Sequence, residues 1–139
     1  MDDPIGPRPT NAELGILRVL WERGPSSVRE AQAVLAQARS NEGREVGYTT
    51  VLKTMQIMVE KGLLVREERG RAHVYRPAAR EEKAKRDLVG DFMERAFGGS
   101  ARDLVMHALA AKPASSEEIA EIRRMLDRMD APAKEDVGG

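Results

Sequence analysis

Apolar residues recur at helical spacing through the middle of the chain and predict one amphipathic helix that leads directly into a β-hairpin. Within Gly47–Pro77, one apolar stripe is formed by Val51, Met55, Met58, Val59 and Leu63. Gly62 stands where the residue just beyond a helix C-terminus belongs. The runs Leu63–Glu67 and Arg71–Arg76 then flank Glu68-Arg69-Gly70, which predicts a hairpin with a glycine in its turn.

Two shorter helices are predicted before this stretch, and each begins with a capping box. In Thr10–Glu13 and Ser27–Glu30, a hydroxyl and a carboxylate are spaced to satisfy free amides at a helix start. The first helix should end before Gly24-Pro25 and the second near Ala38. The polar segment 39–46 then leads to the third helix, a spacing that is typical of a winged helix.

Three more helices are predicted after the hairpin, and their apolar stripes are narrow. They cover about 78–97, then a segment capped by Ser100, then a segment capped by Ser115. Such stripes bury too little apolar surface to offset conformational entropy, so a second copy of the chain is the simplest remedy. The alternative is that these helices fold back on the first part of a monomer. The residues predicted to form the dimer core are Leu88, Phe92, Ala96, Leu104, Ala108, Ile122, Leu126 and Met129.

These patterns predict a mainly α fold with a small β-hairpin. We expect a loose N-terminus over 1–9 and an N-terminal winged helix-turn-helix domain over 10–77. A C-terminal helical dimerisation region should follow over 78–130, and a disordered tail over 131–139.

The side of the third helix opposite its apolar stripe predicts a surface for DNA. It carries Tyr48, Thr49, Thr50, Lys53 and Thr54, and it has no acid before Glu60. Threonine can use its hydroxyl on a base or its methyl on thymine, and lysine prefers guanine or a phosphate. Two alternatives stay open at this point: Thr49 as a helix cap, and Tyr48 as a packing residue.

The tip of the predicted hairpin carries Arg69 and Arg71, which would grip DNA phosphates on either side of Gly70. The neighbouring Glu67 and Glu68 would weaken the local positive field, so the contribution of the wing to binding could be small.

Charge and composition narrow the function further. Residues 1–86 contain 16 Lys/Arg and 12 Asp/Glu, whereas residues 87–139 contain 7 and 11, so the predicted winged helix is basic and the remainder acidic. The absence of cysteine excludes disulfides and thiolate metal sites, and two isolated histidines suggest no metal or other cofactor. The sequence contains no arrangement of a nucleophile and a base that would indicate an enzyme. We find neither a signal peptide nor an apolar run long enough for membrane insertion, which predicts a cytoplasmic protein.

Several motifs in the chain resemble the penicillinase-repressor family, also called the BlaI/MecI/CopY family. The most specific are Val46–Gln56, Glu60–Leu64 and Arg71–Tyr75, and the resemblance covers about residues 10–130. It implies a homodimeric winged-helix repressor that binds double-stranded, palindromic operator DNA. In the best-known members, a membrane-bound β-lactam sensor triggers cleavage of the repressor in its dimerisation region.

Two features of the sequence depart from the family pattern. The resemblance places the cleavage site at an Asn-Phe pair, and the matching position here reads Met106–Leu109. The copper-responsive branch carries a cysteine cluster that this chain lacks. A sensor or protease acting upstream therefore remains an expectation on family grounds alone. The leading alternative function is a winged-helix module that docks on a protein without reading DNA sequence.

Overall fold

The computed structural model describes residues 8–38 and 46–131, which contain six helices and one two-stranded hairpin. The elements are α1 (Asn11–Arg23), α2 (Val28–Ala38), α3 (Tyr48–Lys61), β1 (Leu64–Arg69), β2 (Ala72–Pro77), α4 (Glu81–Phe97), α5 (Ala101–Ala111) and α6 (Ser116–Asp130). The predicted mainly helical fold with a small β-hairpin is thereby confirmed. The chain divides into two compact units, Met1–Asp91 and Phe92–Gly139, with the division inside α4. The functional boundaries 10–77 and 78–130 stay a prediction.

The first unit is built around a core that α1, α2 and α3 share with the hairpin. From α3, the side chains of Val51, Met55 and Met58 enter this core at 1%, 0% and 0% exposure. The other elements contribute Ile16, Leu17, Val19, Leu20, Val28, Ala31, Leu64 and Tyr75. The predicted apolar stripe is thus the buried side of α3, and its edge is marked by the partly buried Val59 and Leu63.

A left-handed glycine ends α3. Gly62 has φ 85° and ψ 12°, and its N–H donates to the carbonyl of Val59. The N–H of Leu63 donates to the carbonyl of Met58 at 2.8 Å. This pair of bonds is a Schellman motif, and glycine adopts the required conformation without steric cost. The predicted helix stop is confirmed.

The turn of the hairpin is tighter than predicted. The strands pair antiparallel up to Arg69↔Ala72, so the turn consists of Gly70 and Arg71 alone. The prediction that Glu68 and Arg69 lie in the turn was wrong, because Gly70 adopts φ 64° and permits a two-residue reversal. A positive φ at the first turn residue only is the pattern of a type II′ turn.

A backbone bridge attaches the hairpin to the helices. Ser26, in the connection between α1 and α2, exchanges N–H···O bonds of 3.0 and 2.8 Å with Tyr75 of β2. Both residues are buried, at 0% and 2% exposure. The position of the hairpin beside the helices is therefore held by hydrogen bonds as well as by apolar packing.

Two further boundaries differ from the predictions. The fourth helix begins at Glu81 instead of near Ala78, because the Ala78 N–H still bonds the Leu63 carbonyl at 2.9 Å and continues the path of β2. Arg8 was predicted to be loose, but its guanidinium lies 3.2 Å from the carboxylate of Asp91. Its carbonyl also accepts a bond of 3.4 Å from the ammonium group of Lys61.

The second unit consists of the end of α4 with α5 and α6. Ser100 caps α5, and Ser115 forms a full capping box with Glu118 at the start of α6, as predicted. No residue of α5 or α6 is buried. The exposed large apolar side chains of this unit are Phe92, Val105, Met106, Met125, Leu126 and Met129.

Parts of three predicted segments lie outside the described residues: 1–7 of the N-terminus, 39–45 of the linker and 132–139 of the tail. Within residues 8–38 and 46–131, none of the helices combines the length and apolar character needed to cross a bilayer.

A buried carboxylate links the start of α1 to the end of α3. Glu13 is 4% exposed, and its Oε1 accepts bonds of 2.7 Å from the Lys61 ammonium group and 2.9 Å from the Thr10 N–H. Burial by itself would raise the pKa of Glu13. The hydrogen bonds from Lys61 and Thr10 and the Lys61 charge outweigh it, so the pKa of Glu13 lies below its ordinary value.

We expect Glu13→Gln to destabilise the protein by about 1–3 kcal/mol at pH 7, because it removes a hydrogen-bonded ion pair but keeps an oxygen for the capping box. The lowered pKa of Glu13 means that its ionic contribution is complete above the ordinary glutamate pKa of about 4.3 and is lost as the pH falls through the folded-state value. Urea unfolding should therefore show a difference in the free energy of unfolding between the wild type and Glu13→Gln that is smaller at pH 3 than at pH 7. Glu22→Gln, exposed on α1, is the control. A stability difference that does not change with pH would contradict a contribution from the ionised Glu13 carboxylate.

Candidate nucleic-acid interface

The packing of α3 decides which of its side chains face solvent. Since Val51, Met55 and Met58 point into the core, the predicted DNA-facing residues lie on the open side of the helix. The exposed residues are Tyr48, Thr49, Thr50, Lys53 and Gln56, and Thr54 is half-buried. Thr49, Thr50 and Lys53 thus share one accessible side of α3, with the half-buried Thr54 at its edge and Tyr48 at the first position of the helix.

The N-terminus of α3 has no side-chain cap. The N-cap position is occupied by Gly47, which makes no capping side-chain bond, and the first residue of the helix is Tyr48. The alternative that Thr49 is a cap was wrong, because Thr49 lies inside the first turn and its side chain remains exposed. The first N–H groups of α3, at the positive end of the helix dipole, receive no hydrogen bond from a capping side chain at Gly47.

The polar side chains along this surface differ in how free they are. The Thr54 hydroxyl donates to the Thr50 carbonyl at 2.8 Å, so its hydrogen is engaged inside the helix. Among the described residues, Lys53 has no ion-pair partner, and its ammonium group is exposed. Lys53 is accordingly the freest charge at the start of α3.

Sequence reasoning missed one basic residue at this surface, Arg29 of α2. Its guanidinium carbon lies 5.1 Å from the centroid of the Tyr48 ring. Tyr48 thus packs against Arg29 and still remains 42% exposed. The only sequence signal was the position of Arg29 in the first turn of α2, and that does not reveal a neighbour 19 residues away.

The wing carries its charges in two separate groups. Glu67 accepts from Arg76 Nε at 2.7 Å through Oε2 and from Arg69 Nη2 at 3.3 Å through Oε1. Glu68 instead faces His73, with 3.6 Å between Oε2 and Nε2. Arg71, in the turn, forms no ion pair with any described residue. Of the two predicted wing arginines, Arg71 is free and Arg69 is engaged.

These contacts keep Glu67 ionised. The hydrogen bond from Arg76, together with the bond from Arg69 and the charges of both arginines, holds the pKa of Glu67 below its ordinary value, although partial burial opposes this. At neutral pH its negative charge faces two of the wing's positive charges.

The residues predicted for dimerisation lie in both units. Leu88 belongs to the first unit, where it lines a cavity of about 160 Å³ beside Trp21 and Leu63. Seven lie in the second unit, and all are partly or fully exposed: Phe92, Ala96, Leu104, Ala108, Ile122, Leu126 and Met129. The grouping of these residues into one dimer core stays a prediction.

The two histidines take part in local contacts. His73 pairs with Glu68 on the wing, and the His107 ring lies 5.4 Å from that of Phe97. In the described part of the chain, no group of three or more His, Asp or Glu residues is arranged to hold a metal ion.

Comparison with known proteins identifies the family. The sequence model of the penicillinase repressor family matches residues 9–128, which span every element described above except the last two residues of α6. The chain belongs to the penicillinase repressor family. It is therefore a DNA-binding transcriptional repressor and not an enzyme.

Two relatives extend this similarity over nearly the whole chain. The penicillinase repressor of Bacillus licheniformis is 26% identical over 133 residues, which cover 93% of this chain and 97% of the relative. The transcriptional regulator BlaI of Mycobacterium tuberculosis is 26% identical over 120 residues, which cover 86% and 83% of the two chains. Membership of this family favours DNA contact over protein docking as the function of the α3 surface.

We expect Arg29→Ala to weaken the binding of this repressor to a duplex about threefold to tenfold at low salt, because each chain would neutralise one phosphate fewer. The slope of log K against log salt should become shallower by about 0.9 for each phosphate that is no longer neutralised. Fluorescence anisotropy measures both quantities. Arg102→Ala removes the same charge from the second unit and is the control. Equal effects of the two substitutions would show that Arg29 contributes only net charge.

Proposed function

We propose that this repressor acts as a homodimer that binds a palindromic operator and blocks transcription, with one α3 in the major groove of each half-site. The observation that carries the proposal is the open, uncapped start of α3. There Thr49, Thr50 and Lys53 stand on the side opposite the buried stripe. The first turn of a recognition helix is the part that reaches base edges.

The proposed DNA contacts are of two kinds: contacts to base edges, which read the sequence, and contacts to the backbone, which position the protein. Thr50 and Lys53 are proposed to meet base edges, and Thr49, Thr54 and Tyr48 to meet bases or the flanking backbone. Arg29 and Arg71 would contact phosphates on either side, and Arg69 would join them when it leaves Glu67. The lack of an acid between Tyr48 and Val59 keeps this surface attractive to DNA.

The second unit supports the dimer. Phe92, Leu126 and Met129 are 48%, 55% and 75% exposed in the single chain. Burying a large apolar side chain stabilises an assembly by about 1.5–3 kcal/mol, so covering these side chains with a second copy provides a driving force. Two joined readers would bind half-sites about one turn of DNA apart, or a small multiple of it.

Release of the operator is proposed to depend on an upstream sensor or protease, acting in the cytoplasm on the bound repressor. The ground for this is the family resemblance. Because Met106–Leu109 replaces the Asn-Phe pair, any cleavage would follow a different sequence rule from that of the best-known members.

We expect Lys53→Ala and Thr50→Ala each to weaken binding to a duplex that the wild type selects from a random pool. A good base contact contributes about 1–3 kcal/mol, and each substitution removes it from both half-sites of a symmetric dimer. Circular dichroism should be unchanged, because both side chains are exposed. Glu60→Ala, in the last turn of α3, is the matched control. Unchanged affinity in both variants would mean that another surface reads the DNA.

We expect Leu126→Glu to convert the dimer to a monomer and to weaken duplex binding sharply, because it would place an unpaired charge in the proposed interface at a cost of several kcal/mol. Sedimentation at micromolar concentration measures the assembly. Leu126→Met conserves volume and should remain dimeric. The dimer proposal fails if the wild type sediments as a monomer, or if Leu126→Glu stays dimeric with full affinity.

A further inference from the structure

The two neighbouring glutamates of the wing are not equivalent, although the sequence places them side by side. Glu67 engages both of its carboxylate oxygens with arginines, at 2.7 Å to Arg76 and 3.3 Å to Arg69. Glu68 is 70% exposed in its side chain and approaches His73 alone. Of the two, Glu67 therefore holds the arginines, which bind phosphate most strongly.

The strand register explains this difference. Val65 lies opposite Arg76, and Arg69 lies opposite Ala72, so the alternation of side chains puts Glu67 on the same face of the sheet as both arginines. The other face carries the buried Tyr75 and, towards the tip, Glu68. The Arg69–Glu67–Arg76 cluster thus lies on the side of the hairpin that points away from the core.

The cluster is open enough for its partners to be exchanged. The side chains of Arg69, Arg76 and Glu67 are 59%, 44% and 34% exposed. Exposed ion pairs contribute little to stability, and arginine binds phosphate in the same bidentate manner as it binds carboxylate. A phosphate that reaches the wing can therefore replace the carboxylate at little cost to the fold.

We propose that Glu67 is a specificity-determining residue that limits the grip of the wing on DNA of any sequence by competing with phosphate for Arg69 and Arg76. The inference rests on the proposed function. With Glu67 in place, Arg69 and Arg76 can meet phosphate only after an ion pair breaks, whereas Arg71 at the turn has no ion pair with any described residue. Sequence-independent affinity stays low, and a larger share of the binding free energy comes from the base contacts of α3.

The test compares Glu67→Gln with Glu68→Gln, which change the net charge equally but free different partners. Each full-length variant is titrated with a 30-bp random-sequence duplex and with the duplex that the wild type selects from a random pool. Glu67→Gln should bind the random duplex about tenfold more tightly at low salt. Its slope of log K against log salt should steepen by up to about 1.8 per wing, for two added phosphate contacts at about 0.9 each.

Glu68→Gln should show only the smaller gain of one removed charge. The selected duplex should gain less than the random duplex in Glu67→Gln, so the ratio of the two affinities should fall. Equal gains and equal slopes for the two variants would overturn the inference. Thermal unfolding and circular dichroism check that both substitutions leave the fold intact.

A double-mutant cycle tests whether the arginines carry the effect. Arg76→Gln should change random-duplex binding little in the wild type, where Glu67 engages Arg76, and severalfold in Glu67→Gln. Additive effects would overturn the competition between carboxylate and phosphate. If the wild type binds neither duplex, the proposed function fails. If it binds the selected duplex but the cycle is additive, only the role of Glu67 fails.

Discussion

The burial of Val51, Met55 and Met58 is the constraint on which the reading surface depends. An α-helix advances about 100° per residue, so a stripe that repeats every three or four residues fixes the rotation of the helix once it packs. With these three side chains at 1% exposure or less, Thr49, Thr50 and Lys53 can only face outward. The N-cap position of α3 is Gly47, which supplies no side-chain hydrogen bond to the first amides of the helix. Core packing and the proposed DNA contact thus depend on the same orientation of α3.

The position of the hairpin is fixed by the same core. Gly62 ends α3 and β1 begins at Leu64, which is 2% exposed, while the bridge from Ser26 to Tyr75 fixes the other strand. Beyond these anchors, the ion pairs of the tip with other described residues all lie within the hairpin. Ion pairs within the wing therefore decide how its charges are presented. A helix held rigidly by apolar packing and a hairpin tip governed by exposed, exchangeable pairs suit different tasks, base reading in the first case and backbone contact in the second.

Helix starts, helix stops and the buried side of α3 could be predicted because each depends on residues within one or two turns of the chain. The capping boxes at Thr10 and Ser115 and the glycine stop at Gly62 are of this kind. The turn length was missed because the pattern shows a glycine but not the register of the strands. The contact between Arg29 and Tyr48 and the anchoring of Arg8 could not be predicted, since both join parts of the chain that only the tertiary fold brings together.

The energetics of DNA reading connect the exposed apolar side chains of the second unit to the surface of α3. Two base contacts of about 1–3 kcal/mol each give one reader about 2–6 kcal/mol of discrimination. A bacterial genome offers about a million competing sites, and outweighing them requires about 8 kcal/mol. One winged helix falls short of that value, whereas two joined readers reach it, because linking them makes the second binding event intramolecular. An isolated reader would therefore discriminate too weakly to find one operator among those competing sites. The apolar residues that α4, α5 and α6 leave exposed supply a means of joining two copies.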